Sequence, residues 1–223
     1  MTGPHDTERD AKRRAEMVAY QLRARGITDE RVLDAMAEMP RQVFVPPAQR
    51  EMAYDDHAMS IGEGQTISQP YMVAVMLEAL QTTPESVALE IGAGSGYQAA
   101  LLGKLCRKVY AVELVEPLAK RAQRVIEELG IDNVEIVVGD GSRGLPEHAP
   151  HDRIIVAAAA PEVPEPLVEQ LADGGRMVVP VGTRFSQQLV VCQRDGEQVK
   201  CSHGIGCVFV PLLGEHGWRG GNR

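Results

Sequence analysis

The sequence lacks long apolar runs, a signal-peptide pattern in its first residues and any excess of positive charge. No part of its 223 residues approaches the roughly 20 consecutive apolar positions that a membrane-spanning helix needs. Residues 1–12 are polar and charged, so they lack the basic and then apolar pattern of a signal peptide. We therefore expect a cytoplasmic protein with no membrane partner, and we expect both termini, residues 1–12 and 218–223, to be frayed.

The four cysteines form no familiar metal or redox motif. Cys106, Cys192, Cys201 and Cys207 include no Cys-x-x-Cys pair, and reduced thiols are expected in the cytoplasm. Cys201, His203 and Cys207 would share one face of a strand, but they are too few to make a common zinc site. We expect no metal.

The formal net charge of −8 argues against a nucleic-acid partner. Proteins that hold long nucleic acids through phosphate contacts need concentrated lysine and arginine. The composition, 44% hydrophobic and 24% charged, is that of an ordinary globular chain of one domain, residues 1–223. We expect it to be a monomer.

Two helices and a polar loop are predicted in the first third of the chain. Apolar residues recur at helical spacing from Arg13 to Arg25, and a second helix is expected between a cap at Asp29 and a stop at Pro40. Residues 61–70 lose this periodicity and resemble an extended, glycine-hinged loop of the kind that is often functional. A helix should follow Pro70, with Ser68 or Gln69 in the cap position.

From residue 87 onward, strands alternate with helices. This alternation predicts a doubly wound, mostly parallel α/β sheet, and a turn at Asp195-Gly196 predicts an antiparallel C-terminal hairpin that completes it. Strands are expected at 87–91, 109–112, 134–138, 153–156, 177–181, 188–193 and 205–210, and helices at 97–105, 117–129 and 165–171.

A glycine-rich segment follows the first of these strands. Glycines allow a tight turn and a close approach to a ligand beside a helix N-terminus. The order Gly-x-Gly-x-Gly, with Tyr97 where a dinucleotide-binding motif has glycine, favours S-adenosylmethionine (SAM) over NAD. The candidate cofactor residues of this segment are Glu90, Gly92, Ala93, Gly94, Ser95 and Gly96.

Two acidic residues at later strand ends extend this candidate site. Glu113 lies about 20 residues after the glycines, where a carboxylate can accept hydrogen bonds from both ribose hydroxyls. Asp140 and Gly141 follow the third strand, where an acidic side chain can reach an adenine amino group. The alternatives are that Glu113 is a solvated strand end and that Asp140-Gly141 is only a turn.

The segment Gly64-Gln65-Thr66-Ile67-Ser68-Gln69-Pro70-Tyr71-Met72 resembles the protein-L-isoaspartate O-methyltransferase family. Further similar segments, from Gln21-Leu22-Arg23 to Phe209-Val210-Pro211-Leu212, extend the likeness over residues 15–213. The resemblance implies a SAM-dependent methyltransferase sheet with added N-terminal helices: residues 1–80 form a helical cap and substrate loop, 81–213 the cofactor-binding sheet and 214–223 a tail.

The resemblance also implies an activity and residue roles. The activity is methyl transfer from SAM to isoaspartyl carboxylates in damaged proteins, leaving S-adenosyl-L-homocysteine. Ser68 matches the active-site serine, and Thr66, Ile67 and Tyr71 match a loop beside SAM. Ser60, Ala157 and Leu213 depart from the family pattern.

Three alternatives remain open at this stage. Ser68 could simply cap the following helix. The acceptor could be a small molecule or RNA, although Val156 is followed by alanines and lacks the Asp-Pro-Pro-aromatic type of motif expected of an amino-group methyltransferase for nucleic acid. The chain could also be a SAM-binding relative without activity.

Overall fold

A computed structural model describes residues 6–219. The chain begins with α1 (Glu8–Glu16), which continues through a π-helical turn, Met17–Leu22, and a 3-10 turn, Arg23–Arg25. The frayed start predicted for residues 1–12 is wrong from Asp6 onward, because Thr7 and Asp10 form a reciprocal capping box that fixes the first turn. Residues 1–5 lie outside the described residues.

The second predicted helix is confirmed as α2 (Glu30–Glu38). The Asp29 carboxylate accepts hydrogen bonds from the amides of Arg31 and Val32, as an N-cap should. Two 3-10 segments follow, Arg41–Phe44 and Pro47–Met52.

The predicted glycine-hinged loop is mostly a short hairpin. Strands β1 (Met59–Gly62) and β2 (Gln65–Ile67) pair antiparallel, and the turn needs a positive φ at both Glu63 and Gly64. Strands of three and four residues are too short for their alternation to stand out in a sequence. Helix α3 (Pro70–Leu80) begins immediately after the hairpin.

A seven-stranded sheet forms the centre of the protein. Its spatial order is β5-β4-β3-β6-β7-β8-β9; the first five strands in this order run parallel, and β8 pairs antiparallel with both neighbours. The predicted fold class is therefore confirmed. The strands are β3 (Val87–Ile91), β4 (Lys108–Glu113), β5 (Val134–Val138), β6 (His151–Val156), β7 (Leu171–Gly182), β8 (Gln187–Asp195) and β9 (Gln198–Cys207), and the helices between them are α4 (Tyr97–Leu105), α5 (Glu116–Glu128) and α6 (Glu165–Glu169).

The two faces of the sheet are covered by separate apolar clusters. Alternate residues of β3 separate cleanly: Ala88 packs with helices α2 to α5, whereas Leu89 and Ile91 pack with Leu167 of α6 on the opposite face. Burial on both faces explains why β3 is a continuous apolar run interrupted only by Glu90. No helix among residues 6–219 is long and apolar enough to span a membrane.

The C-terminal hairpin departs from the prediction in its second strand. The expected strand at 205–210 is β9, which runs from Gln198 to Cys207, because an edge strand exposed at most positions carries little apolar alternation. Cys192 of β8 and Cys201 of β9 face each other in register and form a disulfide. The expectation of reduced thiols is therefore wrong for this pair. The spacing of the two cysteines in the sequence does not reveal the strand register that places them opposite each other. Across residues 6–219 no group of three His, Cys, Asp or Glu side chains could hold a metal ion.

Candidate cofactor and substrate site

The glycine-rich segment forms the turn between β3 and α4. Gly92, Gly94 and Gly96 have φ values of +87°, +53° and +86°, a region that favours glycine. A Cβ on Gly96 would also lie 3.0 Å from the Cβ of Ala122. The turn therefore requires these glycines, and it places the segment at the carboxyl edge of the sheet, where ligands bind in such folds.

Four of the five main-chain amides from Gly92 to Gly96 are already occupied, those of Gly92, Ala93, Gly94 and Gly96. Gly92 and Ala93 donate to the Val112 carbonyl at 2.8 and 3.2 Å, and Gly96 donates to the Ala93 carbonyl at 2.8 Å. Gly94 donates to Oε2 of Glu113 at 2.8 Å. A phosphate at a helix N-terminus needs free amides. This turn consequently suits a nucleoside ligand without phosphates better than a dinucleotide.

Two adjoining clefts open beside the turn. The first, the Glu113 cleft, is lined by Gly141 and by residues 210–213 near the C-terminus as well as by Glu113. The second, the Ser68 cleft, is lined by Ile67, Ser68, Glu90, Ala93 and Ser95, among others. The two clefts share Thr66, Gly92, Gly94 and Ala157.

Glu113 is held at the end of β4 with its carboxylate turned to the glycine turn. Its side chain is buried, which does not fit the alternative of a solvated strand end. Oε1 accepts the Val115 amide at 2.9 Å, while Oε2 accepts the Gly94 amide. A carboxylate has about four acceptor positions, so Glu113 can still accept from two ligand hydroxyls.

Asp140 and Gly141 behave differently from each other. Gly141 lines the Glu113 cleft, and a Cβ there would lie 2.6 Å from Cγ2 of Ile91. Asp140 lines neither cleft: Oδ1 accepts from the Ser142 amide at 2.9 Å and Oδ2 from the Glu215 amide at 2.9 Å. Burial alone would raise the pKa of Asp140, but the hydrogen bonds from Ser142 and Glu215 bring it below its ordinary value.

The C-terminal segment docks on residues next to the Glu113 cleft, although the sequence predicted a frayed end. Glu215 donates to Asp140, and Trp218 donates from Nε1 to the Ala159 carbonyl at 3.0 Å. The predicted fraying is therefore wrong for Trp218, and residues 220–223 lie outside the described residues. Nothing in the local sequence of residues 214–219 signals this docking, because Asp140 and Ala159 lie more than 50 positions earlier.

Glu90 is a fully buried carboxyl group beneath the glycine turn. Neither of its oxygens meets a donor in good hydrogen-bond geometry among the described residues, and Nε2 of Gln98, which lines the same cleft, is likewise unpaired, although the Gln98 side chain lies close enough to lower the pKa of Glu90 by the smallest of the three effects on it. Burial, and then repulsion by the Glu113 carboxylate, raise the pKa of Glu90 well above its ordinary value. A buried acceptor without a donor is the feature expected where a cationic or donor-rich ligand binds.

Ser68 lies at the junction of β2 and α3, and its side chain does not cap the helix. The N-cap of α3 is Gln69, and no side chain makes a capping hydrogen bond there. Within residues 6–219 no hydrogen bond to the Ser68 hydroxyl is formed, whereas its carbonyl accepts from Nη2 of Arg41 at 2.7 Å. The hydroxyl is thus available to a ligand in the Ser68 cleft.

The remaining predicted positions divide into two groups. Gly96 shapes the turn without lining either cleft. Tyr71, expected beside the cofactor, also lines neither cleft, because its ring lies against the Arg25 guanidinium at 3.5 Å. The structure therefore does not bring Tyr71 to the site. Ala157 and Leu213, which depart from the family pattern, do line it.

The sheet order, the glycine turn with most of its amides occupied and the carboxylate at the end of β4 define an α/β protein of the kind that binds a nucleoside cofactor. The family model for protein-L-isoaspartate(D-aspartate) O-methyltransferase (PCMT) matches residues 12–217. The chain belongs to this family.

Individual relatives agree over nearly the whole chain. Protein-L-isoaspartate O-methyltransferase of Roseiflexus castenholzii is 54% identical over 205 residues, which are 92% of this chain and 94% of the relative. The enzyme of Methanoculleus marisnigri is 52% identical over 210 residues, 94% and 95% of the two chains.

Solved structures support the same fold. A protein-L-isoaspartate O-methyltransferase matches with a TM-score of 0.81 and 30% identity over 92% of this chain and 67% of its own. A PCMT structure from Plasmodium falciparum, in complex with S-adenosyl-L-homocysteine, matches with a TM-score of 0.77 and 27% identity over 90% and 98% of the two chains.

Proposed function

We propose that this protein transfers a methyl group from SAM to the carboxylate of L-isoaspartyl residues in damaged proteins, the first step in their repair. The observation that carries the proposal is the match of residues 12–217 to a family with this activity, with an unpartnered Ser68 hydroxyl beside the glycine turn. The relatives bear the name of this activity, and one relative binds the demethylated cofactor.

The residues present fit SAM. The glycine turn offers no free amides for phosphate at Gly92, Ala93, Gly94 or Gly96, and SAM has no phosphate. Glu113 would accept from the ribose hydroxyls, and the partnerless Glu90 would lie near the positively charged part of the cofactor. When bound, SAM supplies a methyl group activated by a sulfonium.

We also propose positions for the other cofactor residues. Thr66, Gly92 and Gly94 line both clefts, while Ile67, Ala93 and Ser95 line the Ser68 cleft only. Gly141 would lie against the adenine, and Asp140 would act there through the C-terminal segment that it holds. For Gly96 the role is to shape the turn, and we do not extend the cofactor role to Tyr71.

The protein needs no general base for this reaction. A carboxyl group with a pKa near 4 is already ionised at neutral pH. The task is to align the attacking oxygen with the methyl carbon and the sulfur and to exclude water, and positioning of this kind can contribute several kcal/mol. The Ser68 hydroxyl would donate a hydrogen bond to the carboxylate. It is not a nucleophile, since nucleophilic serines need a neighbouring base, and no described residue bonds to this hydroxyl.

The product ester would then collapse through a succinimide, which returns part of the substrate to the normal aspartyl linkage. This step belongs to the chemistry of the substrate. We also propose a single domain of residues 1–223 with the divisions given above, a cytoplasmic location, a monomeric state and no nucleic-acid partner. The acidic charge balance supports the last of these.

Labelled methyl transfer to a matched pair of peptides tests the proposed activity. One peptide carries an isoaspartyl residue and its twin a normal aspartyl residue, whose carboxylate lies at a different distance from the backbone. Label should enter the isoaspartyl peptide alone. Equal labelling of the two peptides, or labelling of neither, would contradict the assignment.

The role of Ser68 is tested by Ser68→Ala, with Ser60→Ala as the control. Ser60 is an exposed serine of the same hairpin that lines neither cleft. Loss of a hydrogen bond to a charged group, about 1.5 to 3 kcal/mol, should lower the single-turnover rate roughly 10- to 100-fold while SAM affinity is retained. A Ser68→Ala protein as active as the Ser60→Ala protein would remove the hydroxyl from the mechanism.

A further inference from the structure

Arg41 is a buried cation that the proposed mechanism does not use. Its side chain is fully buried at the start of the 3-10 segment that follows α2. No salt bridge to Arg41 occurs among residues 6–219. Burial of a charge is costly unless the charge is paired or well hydrogen-bonded. Burial lowers the pKa of this guanidinium. An apolar side chain would fill the same space without the free-energy cost of burying a charge. The presence of arginine here therefore needs an explanation, and its hydrogen bonds supply one.

Those bonds hold the main chain at Ala53 and Ser68, and a ring contact links the same guanidinium to the start of α4. Arg41 donates from Nε to the Ala53 carbonyl at 2.7 Å and from Nη2 to the Ser68 carbonyl at 2.7 Å. Its guanidinium carbon lies 4.7 Å from the centre of the Tyr97 ring, and Tyr97 is the first residue of α4, immediately after the glycine turn. One rigid planar group therefore contacts both the main chain of Ser68 and the first residue after the glycine turn.

We propose that Arg41 is a positioning residue for methyl transfer, which holds the Ser68 main chain against the start of α4 so that the Ser68 hydroxyl faces the attacking carboxylate. The inference rests on the proposed function. Arginine suits this role because its donors are fixed in one plane, whereas the single ammonium of lysine cannot reproduce two bonds in those directions.

Loss of Arg41 should release Ser68 without releasing the whole hairpin. The first strand is held independently, since Nη2 of Arg121 on α5 donates to the Ile61 carbonyl. The Ser68 carbonyl, in contrast, has Arg41 as its side-chain donor. A local displacement of the Ser68 end is therefore expected, and this affects the chemistry more than the fold.

The test uses Arg41→Lys and Arg41→Met, with Arg31→Met as a matched control. Arg31 also donates to two main-chain carbonyls, those of Thr82 and Leu105, but it lines neither cleft. Thermal melting, SAM affinity by calorimetry, and kcat and KM for the isoaspartyl peptide are measured on each folded protein. Arg41→Lys should lower kcat roughly 10-fold and Arg41→Met roughly 10- to 100-fold, with SAM affinity within about 2-fold of wild type.

The control separates positioning from stability. Arg31→Met should lower the melting temperature and leave kcat of the folded protein unchanged. If the Arg41 variants do the same, Arg41 is only structural and the proposal is wrong. Should Arg41→Met not fold, Arg41→Lys alone decides between these outcomes.

A double-mutant cycle tests whether Arg41 acts through Ser68. In a Ser68→Ala background, Arg41→Lys should cause little further loss of kcat, because the hydroxyl that Arg41 positions is already absent. Additive losses, or a Ser68→Ala protein with wild-type kcat, would overturn the proposal. Wild-type protein that fails to label the isoaspartyl peptide would contradict the proposed function instead, so the two failures are distinguishable.

Discussion

Glu90→Gln should make the protein more stable at neutral pH and a weaker binder of SAM. The Glu90 carboxyl is fully buried and has no hydrogen-bond partner among the described residues. In the folded protein its pKa is raised well above the ordinary value of 4.5 by burial and by Glu113. Glutamine has nearly the same shape and carries no charge at any pH.

The size of the effect follows from proton linkage. From pH 4.5 upward, until the pH reaches the raised pKa, folded protein holds a proton on Glu90 that unfolded protein has released. Over this window the free energy of unfolding falls by about 1.4 kcal/mol per pH unit because of this group. Its stabilising contribution is complete below pH 4.5 and is lost as the pH rises. Glu90→Gln lacks this slope, so the difference in unfolding free energy between variant and wild type should grow with pH.

Urea unfolding without cofactor, at several pH values and one ionic strength, measures this difference, and the non-titrating Ser60→Ala serves as the control.

SAM binding should be weaker in Glu90→Gln, because a cation near the carboxylate favours its ionised form. Wild type should therefore release a proton on binding SAM, which calorimetry in two buffers of different ionisation enthalpy detects. Parallel pH-stability curves for wild type and Glu90→Gln would refute the reasoning, since they would mean that folding does not perturb Glu90.

Three other predictions concern Glu113, the C-terminal segment and the disulfide. Glu113→Ala should weaken SAM binding and also destabilise the fold by about 1 to 3 kcal/mol, because the carboxylate accepts two amides and is proposed to accept from the ribose hydroxyls; unchanged SAM affinity on calorimetric titration would remove Glu113 from the ribose role. Gly214→Ala should displace the C-terminal segment, since a Cβ there would lie 2.0 Å from Oδ1 of Asp140, and fluorescence of Trp218, the single tryptophan, reports this. An unchanged emission spectrum would contradict it. Titration of the denatured, unreduced protein with a thiol reagent should detect two free thiols, those of Cys106 and Cys207. Detection of four free thiols would argue against the disulfide.

The central strands and their helices could be predicted because local sequence determines them. Strand β3 and helix α4 have the predicted bounds, Val87–Ile91 and Tyr97–Leu105. A short apolar run, glycines with positive φ and a helical apolar repeat occur there in succession, and each is a local signal. The same holds for the cap at Asp29.

Features that depend on register and distant contacts could not be predicted. The Cys192–Cys201 disulfide needs β8 and β9 to pair with these residues opposite each other, and neither residue reveals that register. Arginine is usually found at the protein surface, so the type of residue at position 41 gives no sign that it is buried. Its acceptor, the Ser68 carbonyl, lies 27 positions later. The helical start at Glu8 depends on a capping box that was hidden in a polar segment.

The site contains two buried ionisable groups that stability alone would not favour, and their different surroundings predict different responses to replacement. Glu90 accepts no hydrogen bond of good geometry, so a neutral isostere removes a cost and should raise stability while SAM binding weakens. Arg41 makes two hydrogen bonds to carbonyls, so Arg41→Met leaves buried acceptors unpaired and should lower stability together with kcat. If stability were the reason for both residues, each replacement would destabilise the fold and neither would alter SAM affinity or kcat of the folded protein. The two replacements should therefore shift the unfolding free energy in opposite directions. A loss of SAM affinity in Glu90→Gln would assign Glu90 to the cofactor, and a loss of kcat in Arg41→Met would assign Arg41 to the substrate loop.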